Sequence, residues 1–242
     1  MVLSKYVGAS VKRREDPRLI TGSSVYVDDL KLPGMVHVSI VRSPYAHATI
    51  TGIDTAAATA MPGVVAVLTA KDLQPILTSH YPVHMHSEAG DRPEDQIADE
   101  DAKIPVPGVE PLAMTKVRYI GEPVAAVIAE SLAQAEDAAA EVLVDYEPLP
   151  AVVDPYEARQ PGAPQLYDTV RNNISVRQKT DHGDVDGALN GSAIRVSAKI
   201  RAPRCAPLPM EPRGTGAAPD TITRGLTVWA SNQGPHGCRN EI

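Results

Sequence analysis

Three histidines stand close together as H-x3-H-x-H at His80, His84 and His86, and imidazoles four residues apart can share a helix face and bind zinc. Tyr81-Pro82 interrupts any helix there and no cysteine joins the set, so the trio reads as part of a solvated loop. The run DHGDVDG (Asp181–Gly187) copies a fragment of a calcium loop but lacks the remaining ligand positions and the terminal glutamate. The acid pairs Asp28-Asp29 and Glu94-Asp95 are adjacent in sequence, and on a strand such side chains point to opposite faces, which disqualifies them as a joint acid and base. PMEPRG (Pro209–Gly214) places Glu211 and Arg213 on a proline-fixed segment, a spacing that suits a structural ion pair or a packing contact. Gln233 sits in LTVWASNQGPH (Leu226–His236), and an isolated glutamine before Gly-Pro merely solvates a turn. No serine or cysteine nucleophile motif, phosphate-cradling glycine loop or dinucleotide fingerprint is present.

Composition narrows the field of functions. A chain of 242 residues with 43% hydrophobic and 22% charged residues has the make-up of a soluble globular protein with a proper core. The net charge of −7, with no cluster of Lys or Arg large enough to make a basic face, speaks against nucleic acid, whose phosphates demand one. No run is long enough to span a membrane. Arg13-Arg14 is followed by EDPRLITG where an export signal needs an apolar region. Two cysteines, Cys205 and Cys238, make no disulfide framework and read as buried free thiols in a reducing cytoplasm. With no Phe and a single Trp229, the core must come from Val, Ile, Leu and Ala.

The elements that must position any site are short strands with few helices. Residues 1–21 read as an extended arm, and Val25–Val27 as the start of a strand. Met35–Val41 alternates, Ala46–Ile53 and Val64–Leu68 give further strands, Asp54 can cap a short alanine-rich helix ending near Met61-Pro62-Gly63, and Thr69 can cap the turn beginning at Ala70. Pro75–Pro111 holds six prolines and eight acidic residues and reads as a long excursion without regular structure. Regularity resumes at Met114–Tyr119. PVAAVIA (Pro123–Ala129) is an apolar strand, Ser131 with Gln134 forms a capping box, and Leu132, Ala135, Ala138, Ala139 and Val142 keep a helical period. VLVDYE (Val142–Glu147) returns as a strand ended by Pro148 and Pro150. If it pairs in parallel with Pro123–Ala129, the crossover must be right-handed. Pro148–Pro164, with five prolines, reads as a stiff connection; Ala193–Ile200 and Leu226–Ala230 read as strands beyond it. The fold class expected is α+β.

Several of these segments together carry a family resemblance. EDPRLITG (Glu15–Gly22), YVDDLKLPGMVHVSIVRSPYAHATI (Tyr26–Ile50), PGVVAVLTAKDL (Pro62–Leu73) and Lys116–Asp154 occur in an order that resembles the N-terminal part of a molybdenum hydroxylase large subunit. These are the xanthine dehydrogenase and aldehyde oxidase relatives, and the wording is most similar to the carbon-monoxide-dehydrogenase-like branch. The resemblance runs from Tyr6 to Arg239 and is weakest over Pro75–Pro111. It implies an α/β-hammerhead domain followed by the incomplete start of a molybdopterin-binding domain. The boundaries expected are an arm at 1–21, the hammerhead at 22–147, a proline-rich linker at 148–170 and the second domain at 171–242.

The resemblance also implies a role for Gln233, whose amide in this family donates a hydrogen bond to an oxygen ligand of molybdenum. It makes DHGDVDG a Gly-Asp turn leading into a helix. It implies molybdenum–molybdopterin cytosine dinucleotide as the cofactor of a completed complex in the cytoplasm. A complementary molybdopterin-binding chain, an Fe-S subunit and an FAD subunit would be the partners. The substrate would be a small molecule: an aldehyde, an N-heterocycle or carbon monoxide. In the family the pterin-contacting segment, the pocket loop and the glutamate base lie beyond the counterpart of Ile242. The expectation is therefore a chain that is not catalytic alone, as a split subunit or a truncated product. The competing expectation is a non-catalytic scaffold that uses the hammerhead domain as an interaction surface. Cys205 and Cys238 do not match the copper-binding cysteine motif of a carbon monoxide oxidiser.

Overall fold

The computed structural model describes residues 7–8, 10–77, 81–82, 108–174 and 182–241. They fall into two compact units, one of residues 35–195 and one of residues 1–34 with 196–242. In chain order the elements are α1 (Asp16–Ile20), β1 (His37–Arg42), β2 (Ala48–Asp54), α2 (Ala56–Thr59), β3 (Val64–Thr69), α3 (Ala70–Leu73), β4 (Tyr81–Pro82), β5 (Gly108–Val109), β6 (Lys116–Val117), β7 (Pro123–Ala129), α4 (Leu132–Ala140), β8 (Leu143–Pro148), α5 (Pro155–Ala158), α6 (Val185–Gly191), β9 (Thr215–Asp220), β10 (Gly225–Ala230) and α7 (Pro235–Glu241). The class is α+β, as the strand-rich pattern requires.

In the larger unit, β7 is the central strand of an antiparallel sheet ordered β1-β7-β3. A second sheet, ordered β6-β2-β8, is also antiparallel, and β4 pairs with β5. The apolar run of β7 explains its place: Val124, Ala125, Val127 and Ala129 are fully buried, so the strand needs cover on both faces. Ala125 and Val127 pack with Ala58, Ala138 and Val142, while Val124 joins Ala48, Ala113 and Val117. Ala135 and Ala138, three apart on α4, are fully buried against this sheet, and their small side chains let the helix approach closely. Ser131 caps α4 by accepting from the Gln134 backbone N–H at 3.3 Å and donating its hydroxyl to Gln134 Oε1 at 2.7 Å. Gln134 Nε2 then donates to Pro62 O at 3.3 Å, over Gly63. Gly63 has φ +83°, a conformation L side chains rarely adopt, and a Cβ there would also displace the Gln134 amide, so the turn into β3 favours glycine.

Four expectations need correction. β7 and β8 do not form a parallel pair joined by a right-handed crossover, because β1 and β3 already fill both edges of β7 and β8 pairs with β2. The arm is not extended throughout: Asp16–Ile20 is helical, with Pro17 tolerated in the first turn and Asp16 bonded to Arg13 through both backbone and side chain. Val25–Val27 begins no strand; Val27–Asp29 is a 3₁₀ turn fixed by Tyr26 N–H donating to Asp29 Oδ2 at 2.9 Å. Ala193–Ile200 alternates as a strand should, yet it has no regular structure, for no strand of the described residues lies beside it to complete a ladder. Most of Pro75–Pro111, with His80, His84, His86 and Glu94-Asp95, lies outside the described residues.

Candidate functional site at the strand–helix turn

The smaller unit contains the hairpin β9–β10, with Ala230 opposite Thr215. That register carries the end of β10 to the start of β9, and hence to PMEPRG just before it. Ser231 joins the two motifs. Its N–H donates to Gly214 O at 3.1 Å, its Oγ accepts from Gly214 N–H at 2.9 Å, and its hydroxyl lies 3.0 Å from Pro212 O as a donor. Gly214 is required by the packing behind it, since a Cβ would meet Val27 Cγ1 at 2.9 Å. Sequence reasoning singled out Gln233 in this motif and not Ser231; the available signal was a hydroxyl at the first position after a strand, one able to satisfy two backbone groups at once.

The rest of the turn is held without help from Gln233. Asn232 Oδ1 accepts from Gly234 N–H at 3.0 Å and its Nδ2 lies 3.4 Å from Ala230 O, after which α7 begins with Cys238 N–H donating to Gly234 O at 3.0 Å. Gln233 is exposed, and its amide makes no hydrogen bond with the described residues. Glu211 is half-buried and Arg213 exposed, and the ion pair that their spacing suggests is not formed among the described residues. Glu211 instead lines a cleft of about 1080 Å³ with Arg18, Ser24, Tyr26, Trp229 and Arg239. Ser24 Oγ is buried there with no hydrogen-bond partner among the described residues. Gln233 is not part of that lining.

The other candidates separate in space and role. Asp184 accepts from Gly187 N–H at 2.8 Å and so caps α6, the helix after the Gly-Asp turn. Among the described residues, no three His, Cys, Asp or Glu side chains gather to hold a metal ion. Both cysteines are free thiols as read, but Cys205 is exposed and Cys238 only partly buried. Among the described residues, no helix is long and apolar enough to cross a membrane.

A second polar centre, which sequence reasoning missed, lies in the larger unit. Glu122 is almost fully buried, and its carboxylate accepts from Arg118 N–H and lies 3.9 Å from Arg118 Nη1. Burial raises its pKa above the ordinary carboxylate value, against the lowering influence of the Arg118 backbone N–H and guanidinium. His47 is also buried: its Nδ1 donates to Pro150 O at 2.7 Å, and Nε2 has no partner among the described residues. Nothing in the sequence announced the contact of His47 with Pro150, 103 residues away.

Comparison with known proteins gives this geometry its context. The family profile of the aldehyde oxidase and xanthine dehydrogenase α/β hammerhead domain matches residues 21–150, and that of the molybdopterin cofactor-binding domain matches residues 166–242. The chain is 38% identical to the nicotine 6-hydroxylase large subunit of Paenarthrobacter nicotinovorans, over 95% of this chain and 26% of that one. It is 39% identical to the carbon monoxide dehydrogenase large chain of Afipia carboxidovorans, over 98% of this chain and 28% of that one. The chain thus spans about a quarter of the length of these relatives. Among solved structures, quinoline 2-oxidoreductase from Pseudomonas putida 86 superimposes with a TM-score of 0.75 at 35% identity, covering 93% of this chain and 27% of that one. The Cu,Mo-CO dehydrogenase also reaches a TM-score of 0.75, at 36% identity, covering 96% of this chain and 28% of that one. The chain belongs to the aldehyde oxidase and xanthine dehydrogenase family, with the α/β hammerhead domain and the beginning of the molybdopterin cofactor-binding domain side by side in its sequence.

Proposed function

We propose that this chain is the front portion of the large subunit of a molybdenum-dependent oxidoreductase that hydroxylates or oxidises an aldehyde, an N-heterocycle or carbon monoxide in the cytoplasm. The remainder of the molybdopterin-binding domain would complete its site, and Fe-S and FAD subunits would carry electrons away. The cofactor would be molybdenum–molybdopterin cytosine dinucleotide. One observation carries the reading: Ser231 and Asn232 hold the β10–α7 turn, leaving the exposed Gln233 amide with no hydrogen bond to the described residues. Such a neutral donor fits an oxygen acceptor on the cofactor, because it can orient that oxygen without displacing a ligand.

When bound, the molybdenum–pterin group would supply the redox chemistry, and the protein would supply position and electrostatics. Gln233 would donate one amide N–H to an oxygen of that group. Ser231 would keep the turn seated on Pro212 and Gly214, so that the amide is presented from a fixed base.

Coexpression with a polypeptide containing the rest of the domain tests this proposal. The expected result is a complex with near-stoichiometric molybdenum and turnover, and neither from this chain alone. Gln233→Ala should then lower kcat by about 10–100-fold, the usual penalty for removing a group that orients a metal ligand, with the Trp229 fluorescence unchanged. Full activity in Gln233→Ala, or stoichiometric molybdenum with turnover in the lone chain, would overturn the reading.

A further inference from the structure

Two boundaries in this chain disagree. The molybdopterin cofactor-binding family match begins at residue 166, but by packing residues 166–195 belong with the hammerhead unit, and the other unit resumes only at 196. The opening of the cofactor-binding segment is therefore seated on its neighbour, and the contacts show how.

Three consecutive residues of that opening are each gripped from β6 and the turn after it. Arg118 Nε donates to Leu166 O at 3.0 Å. The Arg118 guanidinium carbon lies 4.3 Å from the centroid of the Tyr167 ring, within range of a cation–π contact. Lys116 Nζ lies 3.3 Å from Asp168 Oδ1. The guanidinium is also held from its own side, by Nη1 donating to Lys116 O at 3.0 Å and by Glu122 Oε1 at 3.9 Å. Its side chain is 23% exposed and that of Glu122 11%, so this is no loose surface pair.

The gripped segment has a fixed shape of its own. Asn173 stands at φ 54°, in the left-handed region, and uses every polar atom of its amide group. Oδ1 accepts from Leu166 N–H at 2.9 Å, and Nδ2 donates to Ala158 O at 2.8 Å and to Pro164 O at 2.9 Å. Val170, between the two anchor points, is buried. The loop 158–173 is thus closed by Asn173 and docked by Arg118.

We propose that Arg118 is a positioning residue that clamps the start of the cofactor-binding segment to the hammerhead domain, making the connection after residue 150 a seat and not a free tether. This rests on the enzyme reading only for its use: a fixed origin limits the orientations from which a partly bound cofactor can be approached. Glu122 is the carboxylate that keeps the guanidinium turned toward Leu166 and Tyr167. Arginine is needed because lysine has neither the planar face for Tyr167 nor a second donor nitrogen for Leu166.

Hydrogen exchange on the whole chain, together with a distance measurement, tests the clamp. Arg118→Met and Arg118→Lys should each speed amide exchange over residues 166–173 at least tenfold, with the amides of β7 unchanged. Spin labels at Thr169→Cys and at Glu136→Cys on α4, both in the larger unit, with Cys205→Ser and Cys238→Ser, should give a narrow distance distribution in the parent and a broad one in both variants. Should Arg118→Met fail to fold, Tyr167→Leu with Asp168→Asn releases the same grip from the outer side and is read by the same two criteria. Unchanged exchange at 166–173 would overturn the clamp, as would a distribution already broad in the parent. Faster local exchange with an unchanged distance would reduce Arg118 to a local structural role and overturn it equally. No cofactor is needed for either measurement, so failure here leaves the enzyme reading intact, and failure of that reading leaves the clamp measurable.

Discussion

The two units spend their apolar residues in opposite ways. In the hammerhead unit, β7 is buried on both faces and α4 seals one of them with alanines. In the smaller unit, Val196 and Ile200 are each 88% exposed, Leu208 is 90% exposed and Met210 wholly so, along a stretch without regular structure. The first has a core supported by its own contacts. The second leaves these apolar side chains uncovered by the described residues. A family domain can evidently be recognisable in sequence over a segment that does not bury its own apolar side chains.

Charge insertion exposes that difference most sharply. Val127→Asp places an unpaired carboxylate at the centre of β7 and should cost roughly 4 kcal/mol or more, enough to unfold the hammerhead unit in a thermal melt followed by circular dichroism. Ile200→Asp, on the exposed stretch, should stay within about 0.5 kcal/mol of the parent. If Ile200→Asp destabilises the lone chain as strongly as Val127→Asp, the contrast between the units is wrong.

Local geometry gives the next effect. Gly63→Ala forces a Cβ onto the Gln134 side chain at a backbone angle that L residues rarely adopt, and should cost roughly 1–3 kcal/mol by denaturant titration. Ser131→Ala removes the cap of α4 and should cost about 1 kcal/mol. Both changes should lower the hammerhead transition while leaving Trp229, the chain's single tryptophan and a β10 residue, as an undisturbed reporter of the hairpin.

These same elements show what could be read in advance. β7, α4 and the Ser131–Gln134 cap were legible because each depends on neighbours in sequence: an apolar run, a helical period, a capping pair three apart. The pairing of β8 with β2 instead of β7 was not, since an edge is chosen by strands far along the chain. β9 was missed because Thr215–Asp220, TGAAPD, has no alternating pattern, and it is a strand only through its register with β10. Ala193–Ile200 failed the other way, with the pattern present and the partner absent from the described residues. At the candidate site, Gln233 was singled out by its surrounding motif, whereas the bonds of Ser231 to Gly214 and of Arg118 to Leu166 join segments that spacing does not bring together.

The smallest effects, and the finest test of the contrast, are two opposite responses to pH. In the hammerhead, burial raises the Glu122 pKa, so the folded state holds its proton more tightly than the unfolded chain does. Its stabilising contribution is complete below the unfolded value of about 4.3 and is lost as pH rises through the higher folded value. In the hairpin, the hydroxyl of Thr223 and the backbone N–H groups of Ile222 and Thr223 bond to the Asp220 carboxylate and lower its pKa. That contribution is present above the unfolded value of about 3.9 and is lost as pH falls through the folded one. Glu122→Gln should therefore flatten the decline in hammerhead melting temperature as pH climbs above the mid-4 range. Asp220→Asn should flatten the loss of hairpin order, read by Trp229 emission, below about pH 4. Slopes of the same sign in the two units would mean that the buried carboxylate of one and the exposed, hydrogen-bonded carboxylate of the other do not feel the different surroundings their contacts describe.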